Sequence, residues 1–350
     1  MPLDGDMTVS DFRASHLGAG QYELPIDPAR DDSDISFLHK SFCIAGLALR
    51  KPKNDQTVWR RYDDRFALTV QPSNFTLPGG AEVTIGVPYG PKARLLAIWL
   101  ATEVHNPRRR EGDTWIEIGH APSWLRSIGI QPRTGQAGNT NITKDQLVRL
   151  TFSEFTMVLK HSDQELFKRD NLIDAAVFGA GQIEAYRKGN LGQMDWPAGI
   201  QLTQAAYERM RRHSVPIPSA RLHSIAHSAM AIDIFVYLSY TLPQISPGES
   251  QLVRWRDLIA QFGSNESPSK FVETFETSIR QALQAYREAD VELTEEGLQM
   301  RYSDPAVLRK PFVAVGGSAV SARSPKGEVG LSKRRRQTIA KRIERDMPEG

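Results

Sequence analysis

The chain of 350 residues predicts an α+β fold, mainly helical, built as two tandem winged-helix domains with flexible termini. Three observations predict it. A run of helices closed by a two-stranded hairpin can be traced twice along the sequence, in the first half in the order helix, strand, helix, helix, hairpin. Within those stretches apolar residues switch between a period near 3.6 and plain alternation, the marks of amphipathic helix and half-buried strand. The two ends lack such periodicity and are polar and charged. The expected divisions are a disordered acidic segment over 1–35, a first winged-helix domain with N-terminal strands over 36–190, a second over 191–310, and a flexible basic tail over 311–350.

From residue 37 to 87 the pattern is β-like. SFCIAGLAL, RFALTVQP and AEVTIGV are apolar runs broken by KPKND and SNFTLPGG. GVPYGPKARLLAIWLATE follows, with Leu95, Leu96, Ile98, Trp99 and Val104 at helical spacing. It predicts a buried helix of about three turns. WIEIG reads as a strand and APSWLRSIG as a short helix, with Pro122 in its first turn and Gly129 at its end. TKDQLVRLTF opens with Thr143 and Gln146 in capping-box spacing. TMVLK and NLIDAAVFG then read as hairpin strands around the turn HSDQELFKRD, and FGAGQIEAYRKGNLG as a loop. A linker is expected near Gly189–Gly199.

In the second half one long helix is expected from Ser219 to about Leu242, and a second over QLVRWRDLIAQFG, stopped by Gly263. SPSKFVETFETSIRQALQAYREA opens with Ser267 as N-cap and Pro268 at the first helical position. Phe271, Phe275, Ile279, Ala282 and Tyr286 form its apolar stripe. VELTEEGLQMRYS reads as a second hairpin. A short helix near Thr338–Arg345 is expected to form on contact with a partner.

Charge and composition narrow the function. The net charge is +3, with 40% hydrophobic and 24% charged residues, ordinary for a globular chain. Residues 1–40 carry eight acids and three bases, and residues 331–350 seven bases and three acids. No apolar run reaches membrane-spanning length, and the acidic N-terminus has no signal-peptide core. Cys43 is the only cysteine, which excludes an internal disulfide and a cysteine-based zinc site. A cytoplasmic protein is expected.

Enzymatic motifs fail on their details. Gly86 and Gly90 enclose three residues where a phosphate loop needs four, Pro91 precedes Lys92, and Ala93 replaces the magnesium-binding hydroxyl. His223 and His227 stand at i and i+4, but Ser-Ile-Ala lies between them and no third ligand is evident. No nucleophile elbow and no histidine–apolar–histidine triplet occur. The expectation is a protein that is not an enzyme and needs no cofactor or metal.

DNA binding survives this filter, because the second helix of a helix-turn-helix unit lies in the major groove and its polar face meets base edges. In the second domain the candidates are Lys270, Thr274, Thr277, Arg280 and Gln281, and in the first Lys144 and Arg149. Glutamine and arginine match adenine and guanine edges. Arg108, Arg109 and Arg110, and Lys333, Arg334, Arg335 and Arg336, are candidate phosphate contacts.

The sequence also resembles the plasmid-encoded RepA family of replication initiators. The resemblance rests on PYG at Pro88–Gly90, ARLL at Ala93–Leu96, Trp99, Thr102–Glu103 and WLRSIG at Trp124–Gly129. It continues in IDIFVYLSYTLP at Ile232–Pro243 and VRWRDLIAQFG at Val253–Gly263, with FCIAGLALRKP upstream. Together these span about residues 37–310. Ala93 stands where the family usually has proline, and Ile128 where leucine is common. The resemblance implies binding of double-stranded DNA at repeated origin sites, origin opening, recruitment of a host replication initiator and helicase, and a possible homodimer. The alternative is a winged-helix transcriptional regulator that binds a single operator as a dimer.

Overall fold

The computed structural model describes residues 35–39, 46–62, 66–118, 121–133, 135, 138–161, 164–169, 171–263, 266–306 and 329–346. The expectations for residues 1–34, for Cys43 and for most of the tail lie outside these residues. Five strands come first: β1 (Ile35–His39), β2 (Trp59–Tyr62), β3 (Phe66–Gln71), β4 (Ser73–Thr76) and β5 (Glu82–Ile85). RFALTVQP and AEVTIGV supply β3 and β5 as their alternation predicts. Of SFCIAGLAL, the described part makes only an isolated bridge from Ala48 to Tyr89.

Helix α1 (Gly90–Val104) is entered through Gly90 at φ 71°, a left-handed conformation that suits glycine, followed by Pro91 at the start of the helix. Its 15 residues make about four turns, one more than expected. From Ala93 to Ala101 every residue is buried, so it is a central helix rather than an amphipathic one. Next come β6 (Trp115–Glu117), α2 (Ala121–Ser127) and α3 (Asn139–Phe152). Helix α3 has its N-cap at Gly138, five residues before the expected cap Thr143. Thr143 therefore sits inside it and donates to the Asn139 carbonyl at 2.6 Å.

The hairpin that follows differs from the expected one. QELFKR is strand β8 (Gln164–Arg169), paired with β7 (Glu154–His161), and these two join β2 and β3 in a four-stranded sheet of order β2-β3-β7-β8. Strand β9 (Ile173–Val177) pairs instead with β10 (Gly199–Leu202). Between them lies helix α4 (Gln182–Arg187), where a loop was expected. Strand β10 also pairs with β6, so the first sheet runs to Leu202, past the expected division at residue 190.

Helix α5 (Gln204–His213), capped by the Thr203 hydroxyl, leads into β11 (Ser214–Pro218), which pairs with β1. The long helix expected from Ser219 is two helices, α6 (Ser219–Ser224) and α7 (Ala229–Thr241). Ser228 makes the break by accepting from the Ala231 N–H and starting the second helix. QLVRWRDLIAQFG divides likewise into strand β12 (Ser250–Arg254) and helix α8 (Trp255–Phe262). Helix α9 (Pro268–Ala285) and strands β13 (Val291–Leu293) and β14 (Gly297–Arg301) follow as expected. The tail is not wholly extended chain: Lys333–Asp346 is helix α10, docked through buried Ile339, Ala340 and Ile343.

Two units repeat one topology. In α1-β6-α2-α3-β9-β10 the sheet order is β6-β10-β9, and in α7-β12-α8-α9-β13-β14 it is β12-β14-β13. In both, the third strand lies between the first two. One continuous apolar core runs through α1, α7 and α9. Trp255, Phe271 and Phe275, all buried, contribute about 1.5–3 kcal/mol each by leaving water.

Candidate nucleic-acid interface

Helix α9 carries the most open polar face among the expected site residues. Ser267 caps it, accepting from the Lys270 N–H at 3.4 Å, and Pro268 occupies the first turn. Phe271, Phe275, Ile279, Ala282 and Tyr286 are all buried. Trp255 meets the Phe271 and Phe275 rings edge-on at 6.5 and 5.7 Å, which fixes the rotation of the helix. With that side inward, Lys270, Glu273, Thr277 and Arg280 are exposed, and Thr274 and Gln281 half-buried.

The polar groups of this face are pre-arranged. Lys270 Nζ lies 2.9 Å from Glu273 Oε2 and holds that carboxyl below its ordinary pKa by hydrogen bond and charge. Thr274 and Thr277 donate to the helix carbonyls of Lys270 and Glu273 at 2.9 and 3.0 Å. Their oxygens remain able to accept. Arg280 pairs with Glu276, a carboxylate only 1% exposed. Glu276 also accepts from Arg336 Nε at 2.6 Å, from Arg336 Nη2 at 3.1 Å and from the Leu331 N–H at 3.2 Å. Glu276 is thus a clamp joining α9 to α10.

The first unit is different. Lys144 and Arg149 are buried, at 9% and 3% exposure, and do not reach solvent as DNA contacts must. Lys144 Nζ donates to the Met194 carbonyl and lies 5.7 Å from the Trp196 ring. Burial lowers its pKa, against the pull of Asp195. Arg149 bonds Asp145 at 2.9 and 3.0 Å and Asp55 at 2.8 Å. Burial pulls its pKa down, but Asp145, Tyr186 and Asp55 together hold it above its ordinary value. Tyr186 and Tyr89 donate to the same Asp145 at 2.9 and 3.3 Å. Burial and Asp145 push the Tyr89 hydroxyl up to about 12. This network holds α3 in place. The cause of the miscarried expectation is long-range: Asp55 and Met194–Trp196 close over the polar side of α3.

The basic runs divide in the same way. Arg109 is committed to its own turn, donating to the carbonyls of Asp113 and Trp115. Arg108 and Arg110 are exposed. In α10, Arg336 belongs to the Glu276 clamp and Arg335 lies 3.9 Å from Glu295, whereas Lys333 and Arg334 face solvent.

The glycine-rich entrance of α1 is not arranged as an anion cradle. The Tyr89 N–H donates to Gln146 Oε1 at 2.7 Å and the Gly90 N–H to the Ala48 carbonyl at 2.8 Å. His223 lies in α6 and His227 in the break after it, so they do not share one continuous helix. Among the described residues no group of three or more His, Cys, Asp or Glu side chains is placed to hold a metal ion, and no helix is long and apolar enough to cross a membrane.

Sequence reasoning missed Arg94 and Asp233. Arg94 of α1 and Asp233 of α7 form a buried bidentate pair, both bonds at 2.7 Å. Arg94 also donates to the carbonyls of Leu47, Ala48 and Gly90 at 2.6, 3.0 and 2.9 Å. The first helices of the two units are joined at this point. The signal was present, since each residue is a lone charge inside an apolar run.

Both helices lie in a segment with known relatives: residues 87–257 match the model of the family described as plasmid encoded RepA protein. Over that segment the chain resembles the plasmid-encoded RepA family. The RepA segment is narrower than the resemblance over 37–310. It contains PYG, ARLL, WLRSIG and IDIFVYLSYTLP, and with them both Arg94 and Asp233. No curated protein matches the chain. Among solved structures, one described as a crystal structure of SeMet derivatives of domain2 and domain 3 of RctB is similar at 13% identity. The similarity covers 70% of this chain and 84% of that one, with a TM-score of 0.39, too low to carry an argument.

Proposed function

We propose that this chain is a plasmid replication initiator that binds repeated duplex DNA sites at an origin, promotes opening there and recruits host replication proteins, without acting as an enzyme. The match of residues 87–257 to the model of that family supports the initiator role. The observation that carries DNA binding is the outward face of α9, where Lys270, Thr274, Thr277, Arg280 and Gln281 stand on a helix fixed by its buried aromatic side. In this reading the two repeated units are winged-helix domains, and α9 is the recognition helix of the second.

The units then take unequal parts. Helix α9 reads base edges, while α3, with Lys144 and Arg149 drawn inward, supports its unit from within. Arg108 and Arg110 are open cations of the first unit that can make phosphate contacts. The Arg94–Asp233 pair fixes how the units stand, so that two contacts on one duplex reinforce each other through a rigid connection.

Footprinting on the DNA around the gene, with the purified chain, tests the proposal. Several protected repeats of one orientation beside an A·T-rich segment are expected. A single symmetric site, without replication of a plasmid that lacks its own initiator, overturns the initiator reading in favour of the transcriptional regulator.

A further inference from the structure

A winged helix ordinarily sets a basic β-hairpin against the DNA backbone beside its recognition helix. The β13–β14 hairpin is poorly suited to that task. It carries Glu292, Glu295 and Glu296. Its one arginine, Arg301, is occupied by Asp290 and Glu292, both at 3.2 Å. The tip is short as well, since Gly297 already pairs with Arg254 of β12. Carboxylates at such a tip repel phosphate.

Helix α10 lies between this tip and α9. Arg342 donates to the Glu295 carbonyl at 3.0 Å and Arg335 stands 3.9 Å from the Glu295 carboxylate. On the other side the Glu276 clamp holds Arg336 beside Arg280. Ile339, Ala340 and Ile343 anchor the helix from beneath. The outward side then presents Arg334, Thr338, Lys341 and Arg345, all exposed, at helical spacings of four, three and four. At 1.5 Å per residue this line spans about 16 Å, roughly half a turn of duplex. Neither Arg334 nor Lys341 has an ion pair among the described residues. Arg345 and Arg342 continue toward Arg254 and Arg256 at the start of α8, across a cleft of about 520 Å³ that also holds Glu296 and Asp346.

We propose that α10 takes the place of the acidic wing: its outward cations bind the phosphate backbone of the duplex next to the groove that α9 enters. The proposal rests on the DNA-binding reading above and deepens it. The ligand is the phosphate backbone, because arginine and lysine along an exposed helix present charge without base-edge geometry. Glu276 gives the arrangement its register by tying an arginine of the reading face and an arginine of α10 to one carboxylate.

The test is a triple variant, Arg334→Gln, Lys341→Gln and Arg345→Gln, in the full chain. These side chains are exposed and outside the Glu276 clamp, so circular dichroism and the melting temperature serve as folding controls. Binding to an origin fragment and to a random duplex is titrated over a range of salt. Each lost phosphate contact lowers the slope of log K against log salt by about 0.9, so a fall of about 2–3 is expected. Affinity for both duplexes should fall by the same factor, leaving their ratio unchanged. A folded variant with the wild-type slope overturns the inference while leaving duplex binding by α9 intact. A wild-type chain that binds neither duplex overturns both readings.

Discussion

Arg94 and Asp233, 139 residues apart, face each other through two hydrogen bonds of 2.7 Å at 5% and 7% side-chain exposure. A charge removed from such a pair leaves its partner desolvated and alone, which costs about 3–5 kcal/mol. Asp233→Asn is therefore expected to lower unfolding free energy by that amount in a denaturant titration. The double variant Arg94→Met, Asp233→Leu should recover part of the loss, though less than all. Arg94 also donates to three carbonyls, and methionine makes none of these bonds.

Arg149 gives a sharper contrast between folding and binding. Arg149→Met leaves Asp145 without its cation, while Asp55 keeps Lys51 at 3.7 Å, and is expected to cost about 3–5 kcal/mol of stability. Affinity of the folded fraction for duplex DNA should be unchanged. A variant of wild-type stability with weakened binding contradicts the placement of Arg149 inside the first unit.

The docking of α10 hangs on Glu276. Glu276→Gln removes the charge from three bonds that tie residues 331–336 to α9, at about 1–3 kcal/mol for a charged hydrogen bond and less where Arg336 is open to solvent. Hydrogen exchange over Lys333–Asp346 should quicken while exchange in α7 does not. Unchanged protection of α10 contradicts the clamp.

His105 and His223 set an expected pH dependence. Burial is the first cause of the lowered pKa in both, and the His105 ring stacks on Phe37 at 4.1 Å. With the folded pKa below the unfolded value of about 6.5, the unfolded chain takes up the proton first. The stability contribution is therefore full above about pH 6.5 and is lost as pH falls through the folded values. Unfolding titrations should give a stability that drops on going from pH 7.5 to 5.5, with a smaller drop in His105→Gln.

Local signals in the sequence were read well where the structure uses them locally. Ser267–Pro268 starts a helix wherever it is followed by an apolar stripe like that of Phe271 to Tyr286, and α9 does just that. Gly90–Pro91 before ARLLAIWL is the same kind of signal, and α1 begins there. The failures came where a partner lies far along the chain. Lys144 and Arg149 carry charge on a helix, and spacing alone places them in water. Met194 and Asp55, which draw them inward, are 50 and 94 residues away. The break before Ala229 was hidden because apolar residues continue across it, although Ser228 marks a cap. Helix α10 showed its stripe of Ile339, Ala340 and Ile343, but a stripe does not name the surface it meets.

The reading face of α9 is the centre of the functional account, and Gln281 and Lys270 separate its two kinds of contact. Lys270→Ala is expected to weaken all duplexes alike and to reduce the salt slope by about one. The most direct measurement is anisotropy titration of Gln281→Ala against an origin repeat and against a duplex of random sequence. The account predicts a loss of about 1–3 kcal/mol at the repeat, roughly 5- to 150-fold, with random-duplex affinity unchanged. Equal affinity of variant and wild type for the repeat, in a folded protein, would contradict the assignment of this face.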